Sequence, residues 1–468
     1  MKEYSDYQNE KWKLLETEIG GQCGERLVLA MKDLYEAYSP EMIDWFASLY
    51  APGIGGYYYS ESARDGDFTT RGDTRFELLP DAESTRQALS VWYLSGMMEH
   101  VGNDRIKAIP EWMRKEIVGY MKSLQDPESG FFYHPQWGKE FTDNYILRRA
   151  RDLLWATGTL DELDSAPTYN TPNGFAGDGI DKDGNRVTLT KTGKKTDQDT
   201  ATDDASCYPP HLESDETFMK YLLDLEEARH GDFYSVGSQL TSESPQFVAR
   251  DKQLSAEGKS YRLMDVVCDW LDGKQSPETG FFTSINGLLK VSGVYLRASR
   301  EIPNAELAVK SSVEFILSET PARSIVELYN PWNAIANTIG SVRKYGKTLD
   351  IDGKPLDGAA RADRMIAFVR DNAPALILKT KEKLMPYAKP MGSFSYTPNG
   401  PAINSCGMPV VDKQLVEGDI NATHLATTGL LGGIYAGLAL SHVNVPIFGE
   451  QDHNRYIAIL EEKRKKQR

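Results

Sequence analysis

Cysteine is scarce in this chain: Cys23, Cys207, Cys268 and Cys406 are the only four in 468 residues, and no two stand at C-x-x-C spacing. That spacing suggests neither a disulfide framework nor a cysteine zinc site. No apolar run approaches the ~18 residues that a membrane-spanning helix needs. The opening Met1-Lys2-Glu3-Tyr4-Ser5-Asp6 is polar, without the apolar stretch of a secretory signal. A cytoplasmic location is the expectation. Positive charge is also in deficit, with 53 Lys and Arg against 68 Asp and Glu, a net charge of −15. This argues against nucleic acid or an anionic membrane as the general partner. An anionic substrate stays admissible where its pocket is locally basic. Phosphate loops, G-x-S-x-G elbows, H-E-x-x-H and dinucleotide fingerprints are missing, so no cofactor and no metal is expected.

What the chain does contain is a repeated phrase. Gln125-Asp126-Pro127-Glu128-Ser129-Gly130-Phe131-Phe132 returns 150 positions later as Gln275-Ser276-Pro277-Glu278-Thr279-Gly280-Phe281-Phe282, with six of eight residues identical. Looser echoes stand at Gly55-Gly56-Tyr57-Tyr58-Tyr59 and Gly392-Ser393-Phe394-Ser395-Tyr396. Each glycine-aromatic loop separates two helix-like segments, and a unit recurring at long period marks a repeat architecture. The spacing predicts helical hairpins whose loops gather on one face. The 24 tyrosines and 8 tryptophans cluster beside Gly, Pro and Asn, and aromatics at loop positions often wall binding sites.

Apolar periodicity predicts helices over 9–19, 25–37, 84–98, 110–124, 142–157, 215–229, 261–272, 285–299, 304–318, 332–345, 359–372 and 420–440. Some are apolar nearly all round and others amphipathic, which suits inner and outer layers. Two polar inserts, 168–206 and 344–358, read as small hairpins with Asp-Gly turns. A calcium-loop reading of either fails at its twelfth position, which is Thr192 counted from Asp181 and Arg361 counted from Asp350. The basic end, 460–468, reads as a solvated, frayed tail. The expectation is one all-α domain over 1–468 with small β-hairpin inserts.

The phrase Leu124-Gln125-Asp126-Pro127-Glu128-Ser129-Gly130-Phe131-Phe132-Tyr133 and its echoes resemble the loops of the α/α-toroid superfamily. That superfamily includes six-hairpin glycosidases, toroid polysaccharide lyases and terpenoid cyclases. The resemblance implies a single (α/α)6–7 toroid. The terpenoid branch fits poorly: Asp203-Asp204 is followed by Ala205-Ser206-Cys207, without the acid cluster. The chain is most similar to stand-alone toroid lyases of uronic-acid polymers, of the alginate and glucuronan lyase type. The implied activity is β-elimination on an anionic oligo- or polysaccharide.

Elimination next to a uronate carboxylate needs a neutraliser, a base and an acid. The loop face offers candidates for each role. Tyr329 or Tyr133 would serve as base or acid, with His134 or His424 assisting, and Asn144 and Arg148 would neutralise the carboxylate from one helical face. Tyr58, Trp137 and Trp332 would stack on sugar rings, Asn330 would line the helix mouth, and Arg75, with Arg64 and Arg71, would add a basic field. Plainer readings stand beside these. His134 would pack on Trp137, Arg148 and Arg149 would face solvent beside Asp152, and Asn330 and Asp419 would cap helices at Pro331 and Ile420. A glycoside hydrolase of the same fold would instead pair Asp81 or Glu83 with Asp143 or Asp419. A non-enzymatic saccharide-binding scaffold is the third reading.

Overall fold

A computed structural model describes residues 4–71, 73–188, 208–346, 357–411 and 415–467. The chain adopts the all-α class with small β inserts: helices dominate, and the named strands form three two-stranded antiparallel sheets. Among the described residues no helix is long and apolar enough to cross a membrane.

Six helical segments pack against one another in a circuit. Ala82–Leu94 contacts Ile146–Glu162, which contacts Phe233–Ala256, then Ile285–Ala298, then Val326–Tyr345. The last packs on Leu430–Gly437, and the circuit returns to its start through Ile420–His424 against Ala82–Leu94. A π-helical turn, Leu425–Gly429, joins these final two pieces. Helices outside the circuit, such as Glu111–Ser123, Leu263–Asp272, Ala305–Leu317 and Gly358–Leu384, cover its members. Burial is uneven among the helices, as their apolar patterning requires. Ten of thirteen residues of Ala82–Leu94 are buried, against three of fourteen in Asp215–Ala228.

The repeated phrase is one turn made twice. Asp126 N–H donates to Phe131 O at 2.8 Å and Gly130 N–H to Asp126 O at 2.9 Å; Ser276 to Phe281 and Gly280 to Ser276 repeat this at 2.8 Å each. Gly130 and Gly280 share φ +70°, a conformation that glycine adopts without a side-chain penalty. The Gln125 and Gln275 amides both reach back to the carbonyl of that glycine. A further backbone bond closes the first copy and both echoes: Tyr133 N–H donates to Leu124 O, Tyr58 N–H to Leu49 O, and Ser395 N–H to Tyr387 O, at 2.8–3.0 Å.

Several sequence expectations need correction. Pro331 does not open a helix; Val326–Tyr345 starts five residues earlier, so Asn330 lies inside it and caps nothing. Asn144 and Arg148 do not share a helix, because Gly138–Asp143 ends before Ile146–Glu162 begins. The basic tail is helical through Gln467 in Glu450–Gln467, with Lys463 donating to the carbonyls of Ala47, Ser48 and Tyr50. Met42–Leu49 and the 24-residue Phe233–Ala256 were not expected. The second carries Pro245, whose missing N–H frees the Thr241 carbonyl. That carbonyl accepts instead from Arg297 Nη1 at 3.1 Å and Ser244 Oγ at 2.8 Å. In the first polar insert Ile180 bridges to Arg186 around Asp181, which accepts from the Asp183 and Asn185 amides. The rest of that insert, 189–207 with Cys207, and 347–356 of the second lie outside the described residues.

Candidate functional site

A cavity of about 450 Å³ opens where the six segments of the circuit begin. Its wall takes Glu83, Arg86, Gln87 and Ser90 from Ala82–Leu94 and Leu147, Arg151, Leu154 and Trp155 from Ile146–Glu162. Phe233–Ala256 adds Tyr234, Ser235, Ser238, Thr241 and Ser242. Lys290, Val326, Tyr329, Asn330, Asn421, His424 and Leu425 come from the remaining three segments. Every segment contributes from its N-terminal part. The N-terminal ends of the helix dipoles therefore face one space, which favours negative charge there. Asp81, Asp232, Ser284 and Asp419 cap four of these ends with their side chains.

The charge on the wall is opposite in sign to that of the chain. Arg86, Arg151, Arg229 and Lys290 line it, against Glu83 as the one carboxylate among the described lining residues. Arg86 is held by Glu162. Glu83 is occupied: it accepts from Arg148 Nη1 at 2.8 Å, Ser405 Oγ at 2.5 Å and Gln87 Nε2 at 3.3 Å. Arg151 Nη1 meets Cys406 Sγ at 2.8 Å and stays 3.8 Å from Glu83. Among the described residues no carboxylate pairs with Lys290. Its ammonium lies 5.8 Å from the Tyr234 ring centre, and burial, then Arg151, push its pKa down to about 8.

One side of the cavity is closed by a hairpin, Asn404–Ser405 paired with Met408–Pro409. Cys406 and Gly407 form its tip at positive φ. The hairpin is fastened through Ser405 to Glu83 and through Cys406 to Arg151. The Pro409 carbonyl accepts from Gln136 Nε2 at 2.9 Å and Trp137 Nε1 at 3.2 Å, and the Val411 carbonyl from Thr69 Oγ1 at 3.1 Å.

Three residues expected for elimination line the cavity, Tyr329, Asn330 and His424, as does Glu83 of the hydrolase reading. His424 sits immediately before the π turn, a distortion that often occurs at functional sites. Its Nδ1 lies 3.3 Å from Thr428 Oγ1, and burial lowers its pKa to about 4. Burial raises the Tyr329 hydroxyl. Tyr329 packs on the π turn that follows His424: a Cβ placed on Gly429 would stand 2.9 Å from Tyr329 Cε2. The Asn330 amide donates to Asn286 Oδ1 at 2.7 Å, while its buried Oδ1 has no partner.

The other expected residues lie elsewhere. His134 is buried, bonded to Pro80 O and Gln136 N and packed 4.6 Å from Trp137. Burial lowers its pKa to about 3. Trp137 and Trp332 are core, the latter bonded to Thr380. Tyr133 donates to Asp143 at 2.8 Å outside the cavity, and Asn144 bonds its own helix at Glu140 O. Tyr58 is half-buried off the cavity, and Arg75 stacks 3.6 Å over Phe68 in the 68–77 hairpin. Arg64 pairs with its neighbour Asp65, and the side chain of Arg71 lies outside the described residues. Arg148 is neither solvated nor in the cavity. It is fully buried beneath it, clamped by Asp152 and Glu83 and stacked 4.6 Å from Trp137. Of the carboxylates of the hydrolase reading only Glu83 lines the cavity, and Arg148 and Ser405 engage it. Asp81 and Asp419 are caps, raised chiefly by burial to about 6 and about 7, and Asp143 sits outside with Tyr133 and Arg149.

Arg151, Lys290 and the hairpin were missed. A signal for Lys290 was present, because it is the lone charge in the first twelve residues of the apolar Ile285–Ala298 helix. A larger cavity of about 710 Å³ lies beyond the far end of Ala82–Leu94, lined by Glu99, Glu450 and Asp452 with Pro446 and Phe448. Two helix starts, those of Asp6–Ile19 and Glu450–Gln467, meet there, but among the described residues no Lys or Arg lines it. Comparison of the chain with protein-family models, curated proteins and solved structures finds no match.

Proposed function

We propose that the circuit of six helical segments is the inner ring of an α/α toroid, and that the cavity at its helix starts cleaves an acidic oligo- or polysaccharide by β-elimination. The observation that carries this reading is the meeting of Tyr329, His424 and Asn330 in a cavity whose lining is basic within an acidic chain. In such a reaction His424, neutral near pH 7, removes the proton α to the uronate carboxylate. The C–O bond at the β carbon breaks, its electron pair leaves with the sugar oxygen, and Tyr329 protonates that oxygen. A C=C bond remains on the product. The cations of the wall stabilise the charge that builds on the carboxylate. Hydrolysis has less support, since it needs two working carboxyls and Glu83 is already engaged by Arg148 and Ser405.

The test is incubation with a panel of uronic-acid polymers, following ultraviolet absorbance of the unsaturated product beside a reducing-end assay. Rising absorbance is expected. Reducing ends without absorbance would overturn elimination in favour of hydrolysis, and silence in both with measurable sugar binding would favour the scaffold.

A further inference from the structure

We infer that Lys290 and Arg151 form a carboxylate-binding subsite on the wall of the cavity. The inference takes from the preceding reading only that the sugar sits in this cavity, and it does not depend on elimination.

The argument is one of charge in excess: two cations share this part of the wall with a single carboxylate, Glu83. Helices Phe233–Ala256 and Ile285–Ala298 pack so closely that a Cβ on Gly237 would stand 2.8 Å from Lys290 Cβ. The Lys290 carbonyl also accepts from Thr241 Oγ1. The base of the lysine is therefore fixed, and its ammonium is directed along the Tyr234 ring. Arg151 faces the same space from the neighbouring helix. Its Nε reaches Ser242 Oγ at 3.4 Å and its Nη1 reaches a thiol. Neither contact carries negative charge. Glu83 answers the guanidinium only in part: Arg148 and Ser405 hold Oε2, and Oε1 stands 3.8 Å from Arg151 Nη1.

Two like charges confined in a half-buried wall repel each other, and each has lost part of its hydration. An anion between them removes both penalties. A guanidinium presents a planar fork suited to the two oxygens of a carboxylate, and the ammonium adds a point charge. The helix starts around the cavity act in the same sense. The cavity volume is that of a small-molecule site, so it fits a sugar acid rather than a broad polyanion surface.

The test is calorimetric titration of the full chain with D-galacturonate and D-glucuronate, with D-galactose and D-glucose as neutral counterparts and inorganic phosphate as a competitor. At least one uronate is expected to bind about tenfold more tightly than its neutral counterpart. Lys290→Met is expected to lose about that factor and Lys290→Arg to restore most of it, with circular dichroism unchanged in both. Equal binding of acidic and neutral sugars, no binding of either uronate, or Lys290→Met within twofold of wild type would each overturn the subsite. Phosphate binding more tightly than both uronates would overturn the carboxylate assignment. Uronate binding without any unsaturated product would remove the elimination reading and leave the subsite standing. Unsaturated product from a polymer, without discrimination between acidic and neutral sugars, would do the reverse.

Discussion

Arg148 and Glu83, 65 positions apart in the chain, meet at 2.8 Å with both side chains buried. The bond ties Ile146–Glu162 to Ala82–Leu94 just beneath the cavity, and Asp152 closes on the same guanidinium from the next helical turn. Burial opposes the charge on Arg148, but Asp152 and Glu83 outweigh it and hold the arginine firmly protonated. Removing the arginine would strand two buried acids. Arg148→Met is therefore expected to lower unfolding free energy by about 3–5 kcal/mol. Equilibrium denaturation would read this directly, and a loss below about 1 kcal/mol would show that the cluster relaxes or takes up water.

His424 and Tyr329 carry the proposed proton transfers. His424→Ala and Tyr329→Phe are each expected to reduce turnover by about 10²–10⁴-fold while leaving the melting temperature within a few degrees of wild type. A rate within threefold of wild type for either variant would remove that residue from the mechanism.

Lys290 gives the cavity a pH dependence of calculable sign. Arg151, Cys406, Glu83 and Tyr234 face it, and with its pKa near 8 it carries charge below that pH and loses it above. Uronate affinity is expected to weaken as pH rises past about 8. The bound anion favours the protonated form, so the midpoint in the complex lies higher. Lys290→Arg should flatten the decline, because a guanidinium stays charged throughout. Titrations at pH 6.5, 8 and 9.5 would show it.

The repeated turn makes a paired prediction. A Cβ on Gly130 would press into the Asn170 carbonyl, and one on Gly280 would stand 2.7 Å from Ala308 N, both in residues at φ +70°. Gly130→Ala and Gly280→Ala are each expected to cost more than about 1 kcal/mol, through backbone strain and overpacking together. Thermal denaturation of the two variants and their double would measure it. Because the two glycines press on different partners, Asn170 and Ala308, the two losses should add within about 0.5 kcal/mol.

Acid stability isolates His134. Its folded pKa of about 3 lies below the ordinary 6.5, so the unfolded chain binds the proton more readily. The stabilisation is complete above pH 6.5 and is lost as pH falls toward 3. Asp81 and Asp419, raised to about 6 and about 7, act with opposite sign over part of that range. The informative quantity is thus the stability difference between wild type and His134→Gln. It is expected to shrink steadily from pH 6.5 to pH 4, and a constant difference would contradict the buried, neutral imidazole.

The repeat was readable because its bonds are local: proline, glycine and paired aromatics specify the turn within eight residues. Tyr329, Asn330 and His424 were readable as polar groups near the starts of apolar helices. Phe233–Ala256 was not, because the carbonyl freed by Pro245 is satisfied by Arg297, 56 positions beyond Thr241. Arg148 and Arg151 illustrate a similar limit. Both stand on one helix, and only the packing of Ala82–Leu94 and the 404–409 hairpin against it decides which becomes a buried strut and which faces the cavity. His134 and Trp137 were drawn toward function by their loop position, yet the Pro80 and Pro409 carbonyls hold them as filling.

The 404–409 hairpin divides frame from fitting. The six segments of the circuit touch one another without it, while Ser405 and Cys406 enter only at the rim and are held there by side chains of the frame. A new tip would redraw one side of the chamber, and by releasing or retaining Glu83 it would also reset how much positive charge the chamber offers. Through Ser405, one short excursion of the chain governs both the shape of the space and its electrical character.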